Sequence, residues 1–113
     1  MNNRLTVTKL FDRYGELLTE RQRAQLTKYV LLDCSFSEIA ELEGVSKQAV
    51  FDSVRRAENR LLEFERILRC VARETALIDI AKKIASIADS YDDLRLNELS
   101  NDILSIMEDD YGV

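Results

Sequence analysis

Gly44, Val45 and Ser46 constrain this chain more than any other three residues. A glycine can take the left-handed backbone conformation that ends a helix without a Cβ clash. A serine at a helix start accepts a hydrogen bond from a backbone N–H that has no partner inside the helix. With only Val45 between them, one helix stops at Gly44 and the next starts at Ser46, so the two rods cannot merge. The helix ahead of the glycine has its own start signal, Ser35 with Glu38, the S-x-x-E capping box. Small Ala40 allows close approach of the two helices, and Ile39, Val45, Val50 and Val54 supply a core that sets their angle. This pattern predicts a helix-turn-helix unit. Glu43 departs from it, because an apolar residue usually stands just before the turn glycine. Leu42 is the expected substitute, by a small rotation of the helix.

The rest of the chain reads as helix too. It has 113 residues with no proline and three glycines. A sandwich or barrel needs many turn residues and β-branched runs, so the expected class is all-α. Val7, Leu10, Phe11, Tyr14, Leu17 and Leu18 recur at helical steps and predict a first helix over 7–18, capped by Thr6 or Thr8. Thr19 and Gln22 form a T-x-x-Q capping box. A second helix then runs from about Glu20 to Leu32, with Leu26, Tyr29, Val30 and Leu32 facing inward. After the connection Asp33-Cys34-Ser35 comes the short third helix. The fourth starts at Lys47, where Val50, Val54, Ala57, Leu61, Phe64, Leu68 and Val71 form a heptad seam. A fifth helix is expected over 77–91, breaking at Ser90-Tyr91-Asp92-Asp93, and a sixth from about Asn97 to Glu108. Residues 109–113 should fray.

Residue types that are missing narrow the chemistry. There is no histidine, hence no commonest general base and no commonest metal ligand. Cys34 and Cys70 lie in no zinc-like spacing and read as thiols of a reducing compartment. No glycine-rich loop suits a nucleotide, and Asp89, Asp92 and Asp93 lack the offsets of a calcium loop. Neither a membrane span nor a signal peptide is legible. The expectation is a cytoplasmic protein with no cofactor, no metal and no enzyme activity of its own.

Charge is unevenly placed. The net charge is −5, with residues 1–73 at +2 and residues 74–113 at −7. A nucleic-acid contact would have to come from a local patch in the first part. One exists: Lys47, Arg55, Arg56 and Arg60 face only Asp52 and Glu58 between Ser46 and Leu62. A helix-turn-helix presents the N-terminal end of its second helix to the DNA major groove, which is about 12 Å wide. That end favours phosphate through its free N–H groups and dipole. The expected contact surface is therefore Ser46, Lys47, Gln48, Ala49, Arg55 and Arg56, with Gln48 suited to an adenine edge and the arginines to phosphates. Phe51 neighbours this exposed side, whereas Tyr14, Tyr29 and Phe36 sit at core spacings. Lys82-Lys83 reads as a solvated face. The same trihelical unit also serves as a protein-contact module, so a docking surface remains an alternative.

Two resemblances rest on these residues. Leu18-Thr-Glu-Arg-Gln-Arg, Ser37-Glu-Ile-Ala-Glu-Leu, Gly44-Val-Ser and Ala49-Val50 resemble region 4 of sigma-70 factors across residues 18–62. The chain up to about Leu68 resembles more closely the YlxM family of small bacterial helix-turn-helix proteins. That match is carried by Leu10-Phe-Asp-Arg-Tyr-Gly-Glu-Leu-Leu-Thr, Tyr29-Val-Leu-Leu-Asp, Phe36-Ser-Glu-Ile-Ala and Val45-Ser-Lys-Gln-Ala-Val-Phe-Asp-Ser-Val-Arg-Arg-Ala-Glu. It implies a sigma-70 region 4-like helix-turn-helix with a long trailing helix, and a regulatory role in the signal recognition particle pathway. Its implied partners are DNA or signal-recognition-particle RNA, or else the targeting GTPase through an adaptor role. The expected organisation is a helix-turn-helix domain over 1–62 and a helical dimerisation or tail segment over 63–113, continuous with the fourth helix. A homodimer would bury the apolar faces of the later helices and present two helix-turn-helix units.

Overall fold

A computed structural model of the protein describes residues 4–109. The fold is all-α, and no described residue is in a strand. Its helices are α1 (Arg4–Tyr14), α2 (Glu20–Leu26), α3 (Phe36–Glu43), α4 (Lys47–Leu68), α5 (Cys70–Tyr91) and α6 (Leu94–Asp109). A 3-10 turn, Gly15–Leu17, follows α1, and a π-helical segment, Thr27–Leu31, follows α2. The chain divides into two compact units between Val71 and Ala72. The fraying expected at the C-terminus lies, from Asp110 on, outside the described residues.

In the first unit, capping chemistry sets the boundaries. Thr19 Oγ1 accepts from the Gln22 N–H while Gln22 Oε1 accepts from the Thr19 N–H, both at 3.2 Å. Ser35 and Glu38 repeat this at 3.1 and 3.0 Å. Gly44 ends α3 at φ 68°, ψ 33°, the left-handed region. Ser46 Oγ then accepts from the Ala49 N–H at 3.0 Å and opens α4. Val7, Leu10, Phe11, Tyr14, Leu18, Leu26, Ile39, Ala40, Val50, Val54, Ala57 and Leu61 form one core. Five of its aliphatic residues, Leu26, Ile39, Val50, Val54 and Leu61, are fully buried. Each contributes about 1.5–3 kcal/mol relative to exposure, so the core can hold a fixed angle at the turn.

Four expectations need correction. Helix α1 begins before both threonines, and Thr8 donates its hydroxyl back to the Arg4 carbonyl instead of capping. Leu17 is exposed in the turn after α1 while Leu18 points inward. Leu32 is 65% exposed, because the π-helical turn shifts the inward register after Leu26 and Asp33 leaves it at φ 58°. Leu42 does not rotate inward; it is 70% exposed, and Glu43 takes the inner position.

The seam of α4 serves the core as far as Leu61, but the helix stops at Leu68. Arg69 takes φ 55°, ψ 28°, and its N–H donates to the Glu65 carbonyl at 2.8 Å. No glycine helps. The Tyr14 hydroxyl donates to Glu65 Oε1 at 2.5 Å and accepts from the Cys70 N–H at 2.9 Å. Glu65 Oε1 also accepts from the Val71 N–H at 3.0 Å. Burial, with the bond to Glu65 and the Cys70 thiol adding to it and the Cys70 N–H opposing it, raises the Tyr14 phenol well above its ordinary pKa, so it stays protonated. One buried tyrosine thus satisfies the groups freed where α4 ends and α5 begins.

In the second unit, α5 starts earlier than its periodicity predicts. Asp92 at φ 51° breaks it, and Asp93 Oδ1 accepts from the Arg95 N–H at 3.0 Å at the start of α6. Small residues join the two helices: Ala81, Ala88 and Ser100 are buried, and Ser100 Oγ donates to the Ala81 carbonyl at 2.8 Å. Leu77, Ile80, Ile87, Leu94, Leu99 and Ile106 remain exposed. Lys83 pairs with Asp79 at 3.3 Å on the solvated face. No described helix is long and apolar enough to cross a membrane.

Candidate nucleic-acid interface

Helix α4 is inserted into the core along one stripe, which dictates what its other side shows. Val50, Val54, Ala57 and Leu61 are fully buried. At 100° per residue, Gln48, Asp52, Arg55 and Arg56 then fall opposite them. Lys47, Gln48, Ala49, Asp52, Arg55 and Arg56 are all exposed, as is Ser46. Because Ser46 accepts from Ala49, the N–H groups of Lys47 and Gln48 are left pointing outward at the helix end.

The charged side chains of this surface are not equivalent. The Arg55 guanidinium lies 5.8 Å from the Phe51 ring centre, and that of Arg60 lies 5.1 Å from the Phe64 centre. Such contacts hold the cation's position while leaving its donors open. Lys47 and Arg56 are held by no ion pair or ring contact to a described residue. Gln48 is partly engaged: its Nε2 donates one N–H to Asp52 Oδ1 at 3.0 Å. Burial raises the Glu58 carboxyl, although the Arg55 charge opposes the shift.

Beneath the turn runs a polar chain that the hydrophobic pattern conceals. Gln25 is fully buried. Its Oε1 accepts from the Ser53 hydroxyl, and its Nε2 donates to Glu43 Oε1 at 2.9 Å. Lys28 Nζ completes the chain on Glu43 Oε2 at 3.3 Å. Burial pushes the Glu43 carboxyl up, but the bonds from Gln25 and Lys28 and the charges of Lys28 and Arg21 outweigh it and leave it below the ordinary carboxylate value. Glu43 thus replaces the usual apolar residue with a fully satisfied ionic one, and ties the end of α3 to α2 and α4. The available signal was two polar departures on apolar stripes, Gln25 and Glu43, that answer each other.

An aromatic stack flanks the same surface. Tyr29 and Phe36 stack at 4.7 Å, and Phe36 meets Phe51 edge-on at 5.6 Å. Arg4 covers Tyr29 at 5.2 Å and pairs with Asp33 at 2.6 Å. Phe51 is therefore half-buried against Phe36 and a support for Arg55.

A short helix, a left-handed glycine turn and a capped long helix with an exposed front define a helix-turn-helix protein. Residues 1–103 match the family model described as "Putative helix-turn-helix protein, YlxM / p13 like", UPF0122. The chain belongs to that family. It is 39% identical over 105 residues to the UPF0122 protein of Thermoanaerobacter sp. (strain X514), covering 93% of this chain and 87% of the relative. It is 42% identical over 90 residues to that of Shouchella clausii (strain KSM-K16), covering 76% and 83%. With the Clostridium novyi (strain NT) protein it shares 35% over 109 residues, covering 96% and 92%.

Proposed function

We propose that the protein is a nucleic-acid-binding regulator that docks through the front of α4. Ser46, Lys47, Gln48, Ala49, Arg55 and Arg56 form the contact surface. The observation that carries this reading is the geometry of α4, whose core side is fully buried while every one of these residues is exposed. Lys47, Arg55 and Arg56 neutralise phosphates, and the helix end adds N–H donors. The test is binding of duplex DNA and of signal-recognition-particle RNA at two salt concentrations. Replacing Lys47, Arg55 and Arg56 together by glutamate removes about three phosphate contacts and flattens the slope of log affinity against log salt by about 2.7. Unchanged affinity in that variant, or no binding by the wild type at low salt, overturns the proposal.

Membership of the signal recognition particle pathway is the finer reading, supported by resemblance to the YlxM family. The −7 charge of residues 74–113 and the exposed leucines and isoleucines of α5 and α6 favour a second reading, a protein adaptor for the targeting GTPase. A pull-down with that GTPase, with the full chain and with residues 74–113 removed, separates the two. The same exposed apolar residues support a homodimer built on this segment, because the α5–α6 pair fully buries only small side chains among its described residues. Light scattering at micromolar concentration should give twice 13.0 kDa; a monomeric mass refutes pairing.

A further inference from the structure

We infer that two copies of this chain join through one apolar side of the α5–α6 hairpin, giving a four-helix bundle. The inference rests on the homodimer reading above and deepens it by naming the surface. Within the hairpin, Ser100 bonds to the Ala81 carbonyl, and Asn97 Nδ2 donates to Asp89 Oδ1 at 3.5 Å. Later residues of α6 thus lie beside earlier ones of α5, and the two helices run antiparallel. Their contact line is made of small residues, Ala81 and Ala88 on α5 and Ser100 on α6.

Helical geometry then fixes where the large side chains fall. At 100° per residue, Leu77, Ile80, Ile84, Ile87 and Tyr91 lie about 40–120° to one side of Ala81. Leu99, Ile103 and Ile106 lie about 60–120° from Ser100 in the same rotational sense. In an antiparallel pair, equal senses bring both sets to one side of the hairpin. Leu77, Ile80, Ile87, Tyr91, Leu99 and Ile106 are 45–80% exposed there. Of the exposed large apolar residues of this unit, only Leu94 falls elsewhere.

Charge and area say what covers this side. Among the described residues over 77–91 and 96–106, no charged residue falls on it; Asp79, Asp89, Glu98 and Asp102 lie around the other sides. Two copies can therefore pair without opposing carboxylates. Residues 74–113 carry −7 overall, which an anionic membrane surface or a nucleic acid repels. The six open side chains offer roughly 100 Å² each, so a pair would bury about 1,200 Å², enough for a stable, specific interface. A hairpin that fully buries only small side chains needs this cover in every molecule. A second copy is the one partner always present in matching amount.

The test is sedimentation equilibrium of the full chain and of five variants, with circular dichroism to follow helix content. Ile87→Glu and Leu99→Glu each put a charge on the apolar side at an exposed position, and each should weaken the dimer by about 100-fold or more. Ile87→Ala adds no charge and keeps a good helix former, and should weaken it about tenfold. Ser86→Glu and Asn101→Glu carry the same charge on the polar back and should leave the dimer intact. If the wild type is a dimer and the apolar-side variants pair as well as the back variants, the inference fails while pairing through another surface stands. If back and apolar-side variants lose the dimer alike, the effect is not located on this side and the inference also fails alone. A wild type that stays monomeric at micromolar concentration, or that gains mass only with the targeting GTPase, overturns both.

Discussion

Replacing Gln25 by leucine isolates the buried polar chain under the turn. The side chain is fully buried and makes one bond to Ser53 and one to Glu43. Each bond contributes about 1 kcal/mol net, and a buried group left without its partner costs about 1–3 kcal/mol more. Glu43 keeps Lys28 at 3.3 Å, and the Ser53 hydroxyl is only half-buried and can turn to water. The expected cost is therefore about 3 kcal/mol, below the sum of the separate maxima. Urea denaturation followed by circular dichroism measures it. The informative comparison is a cycle with Glu43→Leu. Removing both polar partners leaves less unsatisfied than removing one, so Gln25→Leu should cost about 1–2 kcal/mol less in the Glu43→Leu background. A cost below about 0.5 kcal/mol for Gln25→Leu, or a strictly additive cycle, would refute the claim that these groups satisfy one another.

Four further outcomes follow from the geometry. Glu43 has a depressed folded pKa, so its stabilising contribution is complete above its unfolded value of about 4.3 and disappears as pH falls through the folded one; Glu43→Gln should narrow the gap between neutral and acid stability, and parallel wild-type and variant profiles down to acid pH would contradict this. At Gly44 a Cβ would meet nothing within 4 Å, so Gly44→Ala should cost only the left-handed strain of about 1–2 kcal/mol, with Gly44→Asn milder. At Gly15 a Cβ would come within 2.9 Å of the Phe11 ring, so Gly15→Ala should cost about 1–3 kcal/mol by overpacking, and asparagine there should be worse than alanine in a thermal melt. Tyr14→Phe keeps the ring beside Phe64 but removes the hydroxyl; amide exchange at Cys70 should accelerate while that at Val54 stays protected, and uniform acceleration would point to a global loss instead.

What could be read from the sequence was the chemistry that acts within a few residues. Thr19 with Gln22, Ser35 with Glu38, Gly44 and Ser46 each carry their signal locally, and each sits where that signal put it. The inward residues of α4 followed from their spacing for the same reason. The boundaries that were not legible depend on distant partners or on strained backbone. Arg69 has no cap signal of its own; it ends α4 beside Tyr14 and Glu65, and Tyr14 is far away in sequence. The breaks at Asp33 and Asp92 were legible, although both residues take positive φ where glycine would be expected. Glu43 looked like a defect in a helix-turn-helix because its justification, Gln25, lies on another helix. At the candidate interface, exposure of the contact residues was readable, but the bond between Gln48 and Asp52 was not, since nothing in the spacing compels that rotamer.

The tyrosine at the end of α1 has a consequence for how the chain can be cut. A fragment starting at Thr19 contains every short-range signal of the helix-turn-helix and would look like a sufficient minimal piece. It would nonetheless lack the phenol that accepts from Cys70 and steadies Glu65, and the rod that begins at Lys47 would have no fixed terminus. The N-terminal segment is thus a ruler for a helix that starts more than thirty residues downstream, and losing the phenol alone, with the core of α1 kept, should alter where that helix ends before it alters whether the turn forms.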